Sequence, residues 1–83
     1  MNEHLHIEYP CRWDYQLIGE DEQRMRIAVA GILGNVDYVL TLANRSRKAR
    51  YCSLHLSLEV ESAERRVGIF EELRRHADVR YVL

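Results

Sequence analysis

The segment that most constrains the fold runs from Tyr51 to Val60, where apolar and polar residues alternate without a break. Side chains along a β-strand point to opposite faces of the sheet with a period of two. The apolar side comprises Cys52, Leu54, Leu56, Leu58 and Val60, and the polar side comprises Tyr51, Ser53, His55, Ser57 and Glu59. The alternation therefore predicts a strand near the middle of a sheet, with one buried face and one solvated face.

The residues before this strand predict a strand, a helix and a second strand. Alternation over 13–19 indicates the first strand. Asp21 can cap a helix, and Gly34 can end it in a left-handed conformation. Alternation resumes over 36–43, and the polar segment 44–50 then predicts a hairpin into the central strand.

The residues after Val60 predict a second helix and a final strand. Ser62 has the short polar side chain of an N-cap. Gly68 lies in the middle of this helix, where we expect it to allow a close approach to the sheet. The last strand covers 78–83. The apolar stripe of the helix comprises Ala63, Val67, Phe70, Leu73 and Ala77, with Ile69 beside it.

The order strand, helix, strand, strand, helix, strand is that of two βαβ units joined by a hairpin. Right-handed crossovers place both helices on one face of the sheet. We therefore predict an α+β fold, a ferredoxin-like βαββαβ sandwich whose four-stranded antiparallel sheet has the order 4-1-3-2. A chain of 83 residues suffices for one domain, which we place at 11–83 after a flexible lead-in at 1–10.

Charge and composition limit the classes of function. The net charge of -1 gives no overall basic field, which argues against a general nucleic-acid-binding protein. No apolar run approaches the ~20 residues of a membrane-spanning helix. Cys11 and Cys52 are too few for the disulfide framework of a small secreted protein. We therefore expect a cytoplasmic protein with both thiols reduced and no membrane association.

The sequence contains no constellation typical of catalysis or cofactor binding. Glu71 and Glu72 are paired only in sequence, whereas acid–base catalysis needs carboxylates opposed in a cleft. His4 and His6 supply two metal ligands, and zinc sites use three or four protein ligands. A glycine-rich phosphate loop is absent. We expect no catalytic residue, no metal and no cofactor.

Several short motifs along the chain, taken together, resemble a known family. These are Tyr9-Pro10, Trp13-x-Tyr15-x-Leu17-Ile18-Gly19, Tyr51-x-Ser53, Phe70-Glu71-Glu72-Leu73 and the ending Val79-Arg80-Tyr81-Val82-Leu83. Their order and spacing resemble the small bacterial YbeD-like family of unknown function. The resemblance implies a ferredoxin-like fold similar to ACT-type regulatory domains, and a non-catalytic regulatory or interaction role. Ala49 departs from the family pattern, which has glycine there.

The sheet face turned away from the helices is the first candidate binding surface. Contiguous exposed apolar residues often mark a contact, and three branched aliphatic residues are expected on this face. The residues that we expect to bind a partner or ligand are Ile18, Val39, Ser53, His55, Ser57, Arg80 and Val82. We expect the partner to be a second copy or another protein. A small-molecule effector and an ordinary solvated face are the open alternatives.

Arg80 has two interpretations on that face. Its guanidinium can bind a carboxylate or phosphate through two parallel hydrogen bonds. It can also form a cross-strand pair with Asp14 on the neighbouring strand, which we favour because such pairs are common on sheet faces.

The basic hairpin is the second candidate surface. Arg45, Arg47, Lys48 and Arg50 lie close together with no acidic residue among them. Such a cluster can bind phosphate or RNA, or it can simply keep a turn solvated. We therefore predict a non-catalytic ACT-like regulatory or protein-interaction domain, acting as an oligomer through its open sheet face or its edge strands. Anion or RNA binding by the hairpin 45–50 is the alternative function.

Overall fold

A computed structural model describes residues 6–45 and 50–83 of the chain. Its elements are β1 (Cys11–Gly19), α1 (Glu22–Leu33), β2 (Val39–Arg45), β3 (Cys52–Val60), α2 (Ala63–Arg75) and β4 (Tyr81–Val82). All neighbouring strands pair antiparallel in one sheet of order β2-β3-β1-β4, which is the predicted order seen from the other edge. The ferredoxin-like βαββαβ sandwich is confirmed.

The core forms on the apolar side of β3. The residues predicted to be buried there, Cys52, Leu54, Leu56, Leu58 and Val60, are all buried. Tyr15 and Leu17 extend this surface, because they pair with Leu56 and Leu54 across the β1–β3 ladder. The two helices complete the core with Met25, Val29, Leu33, Ile69 and Leu73.

The helix ends follow the predicted capping residues. The Asp21 carboxylate accepts a hydrogen bond of 3.0 Å from the backbone N–H of Arg24. The Ser62 hydroxyl accepts one of 3.1 Å from the N–H of Arg65. Gly34 ends α1 with a φ of 66°, a conformation that side chains with a Cβ disfavour.

β2 differs from the prediction at both of its ends. It runs from Val39 to Arg45 instead of over 36–43, and an irregularity between Leu42 and Asn44 shifts its register against β3. The inserted residue breaks the strict alternation that a sequence pattern assumes. As an edge strand, β2 also leaves Leu42 42% exposed.

α2 buries only part of the predicted stripe. Ile69 and Leu73 are fully buried, whereas Val67 is 47% exposed. Ala63 and Ala77 are exposed as well. A Cβ added at Gly68 would meet no atom within 4 Å, so the predicted close approach at Gly68 is wrong. Apolar residues lie on two sides of this helix, and the sheet selects the side of Ile69.

Candidate functional site

The register of β4 corrects one predicted site residue. Val82 pairs with Leu17, so Val82 lies on the helix-covered side and packs against the core. Its predicted place on the open face is therefore wrong. Tyr81 occupies that place instead, opposite Ile18. Because the side-chain period is two, a register that differs by one residue exchanges the faces of a whole strand.

The rest of the open face is polar and largely satisfied by its own contacts. Arg12 Nε donates to Ser57 Oγ at 3.0 Å. His55 Nε2 lies 3.5 Å from a carboxylate oxygen of Asp14. Ser53 is only 7% exposed, so a partner resting on this face would have little access to it.

The aliphatic residues of the open face do not form one patch. Ile18 pairs with Ser53, whereas Val39 pairs with Ser57, four residues further along β3. The two aliphatic side chains therefore lie at opposite ends of the sheet. The structure places Ile18, Val39, Ser53, His55 and Ser57 on one face without joining the apolar ones into a single surface.

Arg80 is not paired with Asp14. Its guanidinium lies 5.8 Å from the centroid of the Tyr51 ring, within the range of a cation–π contact. Its backbone N–H donates to the carbonyl oxygen of Ile18 at 2.7 Å, which fixes it several residues along the sheet from Asp14. The predicted cross-strand pair is wrong because Asp14 faces His55 instead.

The basic hairpin falls partly outside the described residues. Arg47 and Lys48 lie in the undescribed range 46–49. Arg50 is exposed. Arg45 is bound to a carboxylate oxygen of Glu22 on α1, so its charge is already paired within the domain.

The β2 edge of the sheet is partly covered by α1. Arg26 Nη1 donates to the carbonyl oxygen of Leu40 at 3.1 Å. The Glu22 carboxylate, which also binds Arg45, holds Arg26 Nε at 3.0 Å. Edge strands expose unpaired backbone groups that invite other chains, and natural proteins often blunt them with charged side chains. The Glu22–Arg26 pair covers the β2 edge at Leu40 in this way.

The described part of the chain leaves the opposite edge open along half of β1. Gln16 exchanges backbone hydrogen bonds of 3.0 and 2.9 Å with Leu83, so the backbone groups of Gln16 point towards β4. Alternate residues of a strand direct their N–H and C=O groups to the same edge, so Asp14 and Arg12 point that way too. Within residues 6–45 and 50–83, neither has a backbone partner on that side.

A groove of about 460 Å³ lies beside this open edge, between β1 and α2. Its lining is mostly aromatic and aliphatic: Trp13, Asp14, Tyr15, Arg66, Val67, Phe70 and Leu83. Val67 and Leu83 leave 47% and 71% of their surface in solvent. An apolar concave surface with a few polar groups is typical of a binding site.

Arg66 forms the charged wall of the groove and is held in place from three sides. Its guanidinium carbon lies 4.5 Å from the centroid of the Trp13 ring. Its Nε donates to the Tyr9 hydroxyl at 3.0 Å. Its backbone carbonyl accepts a hydrogen bond of 2.7 Å from the hydroxyl of Tyr15.

The Tyr15 hydroxyl is a neutral donor in this arrangement. Burial raises the pKa of Tyr15 above its ordinary value of 10.0, although the positive charges of Arg66 and Arg65 act in the opposite direction. A neutral phenol can donate to a carbonyl, whereas a phenolate cannot. The contact that ties β1 to α2 is therefore present at neutral pH.

A second cavity of about 400 Å³ lies where β1 turns into α1 and is lined by Gly19, Glu20, Asp21, Arg24, Ala77, Asp78 and Arg80. Charged side chains that line this cavity lie close to groups of opposite charge. Arg24 lies 4.0 Å from the carboxylate of Asp21 and 3.8 Å from that of Asp78. The lining is polar and already paired, so it offers a ligand less than the groove beside β1.

Three further observations concern the thiols, possible metal ligands and membrane-spanning helices of the described residues. Cys11 and Cys52 are free thiols. No group of three or more His, Cys, Asp or Glu side chains in residues 6–45 and 50–83 is arranged to hold a metal ion, and His4 lies outside those ranges. None of the helices in this part of the chain is long and apolar enough to cross a membrane.

The sequence did not reveal the groove. Trp13 and Tyr15 lie on the helix side of β1, and the groove lies beside the part of β1 that β4 does not pair with. Where one strand ends against another depends on contacts between distant segments. Val67 gave no signal of the groove, because it was predicted to belong to the apolar stripe of α2 and only the structure shows it exposed.

The chain has a ferredoxin-like fold, the fold that ACT domains also have. The crystal structure of the ACT domain from the GTP pyrophosphokinase of Chlorobium tepidum superposes with a TM-score of 0.62, covering 87% of this chain and 94% of that one. Its sequence identity is 18%, so this likeness concerns the fold alone. The solution structure of a Helicobacter pylori protein is more similar, with a TM-score of 0.81 at 26% identity, covering 96% of this chain and 88% of that one.

The chain belongs to the family described as "Protein of unknown function (DUF493)", whose model matches residues 4–83. An uncharacterised protein of Campylobacter jejuni is 34% identical over 77 residues, which cover 93% of this chain and 86% of that relative. The resemblance to the YbeD-like family is confirmed, since that family is this one.

Proposed function

We propose that this protein is a non-catalytic, ACT-like interaction domain of the cytoplasm that binds another protein by adding one of its strands to the open half of β1. The observation that carries the proposal is the juxtaposition of the outward-facing backbone groups of Arg12 and Asp14 with the apolar groove. In strand addition, main-chain hydrogen bonds supply affinity and pockets for alternate side chains supply specificity. Two free thiols suit a reducing compartment.

Other surfaces of the sheet support a contact less well. Polar groups of the open face already pair with one another, including Arg12 with Ser57 and Asp14 with His55. The β2 edge carries Arg26 on the Leu40 carbonyl. Among the described residues, the outward backbone groups of Arg12 and Asp14 have no partner, and exposed apolar side chains lie beside them.

A single added strand fits this edge better than a second copy of the domain. Helix α2 lines the groove through Arg66, Val67 and Phe70, so it lies beside the edge. A second copy paired through its own β1 would bring its own α2 to the same groove, whereas a single extended segment brings no helix. We accordingly favour a partner that contributes one extended segment.

A selection from random peptides tests the proposal. Peptides of about eight residues displayed on phage are selected on the purified protein, and each winner is then compared on two variants. Asp14→Pro removes the outward N–H of residue 14, which takes no part in the ladder with β3, and an edge strand tolerates proline at such a position. Asp14→Ala removes the same side chain and keeps the N–H.

If strand addition is correct, the selected peptides should retain binding to Asp14→Ala. They should bind Asp14→Pro at least about tenfold more weakly, which is the loss expected from one desolvated hydrogen bond. Thermal unfolding of both variants shows that each is folded. Winners that bind both variants equally well would refute the proposal, as would a selection without any specific winner.

A further inference from the structure

We infer that the partner segment runs antiparallel to β1 and carries an apolar residue followed, two positions later, by an acidic residue. This inference rests on the proposed function, because it describes the sequence that the same groove would accept. It follows from three features of the groove: the direction of β4, the alternation of β1 and the position of Arg66.

The direction of the partner follows from β4. This strand is antiparallel to β1, and its backbone hydrogen bonds end at the pair formed by Leu83 and Gln16. A segment that continues the ladder with the same direction lies opposite Tyr15, Asp14 and Trp13 in turn. Antiparallel pairing is also slightly more stable per residue than parallel pairing.

Alternation divides the partner's side chains between two surfaces. Residues opposite one another in an antiparallel pair lie on the same face. Tyr15 and Trp13 lie on the helix side, so the partner residues opposite them enter the groove. The residue between them, opposite Asp14, stays on the open face.

The first of the two groove positions requires an apolar side chain. It lies opposite Tyr15 on the helix side, where the lining includes Val67 and Phe70. Val67 is an exposed hydrophobic side chain. A leucine, isoleucine or phenylalanine would remove it from water, and burial of such a side chain is strongly favourable.

The second groove position favours a carboxylate. It lies opposite Trp13, whose ring carries the Arg66 guanidinium at 4.5 Å. Among the described residues, Arg66 donates to the Tyr9 hydroxyl and has no carboxylate partner within ion-pair distance. Asp14 does not compete for it, because its carboxylate faces His55. A charged hydrogen bond to Arg66 would be stronger than a neutral one.

Four synthetic peptides with blocked ends, together with a control of reversed sequence, test the sequence rule. The parent is Thr-Thr-Leu-Thr-Glu-Thr-Thr, whose first two threonines lie outside the ladder because Leu83 and Val82 already pair with Gln16 and Leu17. Glutamine replaces its glutamate in the second peptide and serine replaces its leucine in the third. The fourth carries a methyl group on the amide nitrogen of the central threonine, which removes the donor to Asp14 and leaves the protein unaltered. Binding to 15N-labelled protein is followed by chemical-shift titration, which reaches millimolar dissociation constants.

The parent peptide should shift the amide resonances of β1 and α2, and each of the other three should bind about tenfold or more weakly. Arg66→Gln supplies the decisive comparison. On this variant, the parent and the glutamine peptide should bind equally, because the variant has no positive charge for the glutamate to pair with. The two proteins and two peptides together form a double-mutant cycle that isolates this charge pair. The serine peptide should still bind Arg66→Gln more weakly than the parent peptide does.

The outcomes separate the inference from the proposed function. If N-methylation weakens binding but glutamate and glutamine peptides bind the unaltered protein equally, the acidic rule is overturned and strand addition stands. If the reversed peptide Thr-Thr-Glu-Thr-Leu-Thr-Thr binds as well as the parent, the antiparallel direction is overturned. If N-methylation has no effect, or no β1 resonance shifts at millimolar peptide, both fail.

Discussion

The same substitution, glycine to alanine, should have opposite effects at two positions of this protein. Gly19 closes β1 against α1, where an added Cβ would lie 2.7 Å from Met25 Sδ and 2.8 Å from the carbonyl oxygen of Asp78. At Gly68, in the middle of α2, an added Cβ would meet no atom within 4 Å. Neither glycine has a positive φ, so alanine causes no backbone strain at either position. The difference in stability between the two variants therefore reports the space available for the Cβ.

The expected sizes follow from those contacts. Ordinary carbon contacts lie at ~3.5–4.0 Å, so Gly19→Ala must displace both neighbours, and the Asp78 oxygen belongs to the backbone. Overpacking of this kind costs about 1–3 kcal/mol, of which the reduced freedom of the unfolded chain returns ~0.4–1 kcal/mol. We expect a net loss of about 1–2 kcal/mol. Gly68→Ala should instead stabilise the protein by up to ~1 kcal/mol through helix propensity.

Thermal and urea unfolding measure both effects. For a domain of this size, 1 kcal/mol corresponds to a Tm shift of roughly 4–8 °C. Gly19→Ala should therefore lower Tm by about 5–15 °C, and Gly68→Ala should raise it by several degrees. An unchanged Tm for Gly19→Ala, or a lowered one for Gly68→Ala, would contradict the packing described at these two sites.

Three further predictions concern contacts of the site and the sheet. Tyr15→Phe should cost about 1 kcal/mol, the worth of its hydrogen bond to Arg66. Because the folded-state pKa of Tyr15 is raised, its contribution is present below the ordinary value of 10.0 and is lost as pH rises above it, so urea unfolding of Tyr15→Phe should show a weaker alkaline loss. Arg26→Ala should uncover the β2 edge and produce concentration-dependent association in sedimentation velocity, which the exposed control Arg24→Ala should not. Val82→Glu should lower the free energy of unfolding by ~2 kcal/mol or more, because Val82 packs against the core; an unaffected urea midpoint would argue against its assigned face.

The sequence contained most of the fold because its strongest signals are local. The alternation from Cys52 to Val60 identified the central strand and its buried side. Asp21 and Ser62 marked the helix starts through short polar side chains that accept backbone hydrogen bonds. These signals need no knowledge of distant segments. Their combination, strand by strand and helix by helix, also limited the topology to one order.

What the sequence could not supply depends on how elements meet. The side of α2 that is buried was ambiguous, because Val67 and Ile69 are both aliphatic and only the sheet decides between them. The face of Val82 depended on a register between β1 and β4 that no alternation within β4 reveals. The candidate groove depends on the same pairing of strands, and none of the residues that line it was among the predicted site residues.

The end of β4 has a practical consequence for work with this protein. Residues appended after Leu83 would begin beside Tyr15 and point along the free backbone of β1, since Leu83 is already paired with Gln16. A tag placed directly after Leu83 would therefore compete with the proposed partner segment, at an effective concentration in the millimolar range. The same geometry offers a route to a stable complex: a partner segment fused there by a short linker would form an intramolecular fifth strand, suited to structure determination even where the free peptide binds weakly.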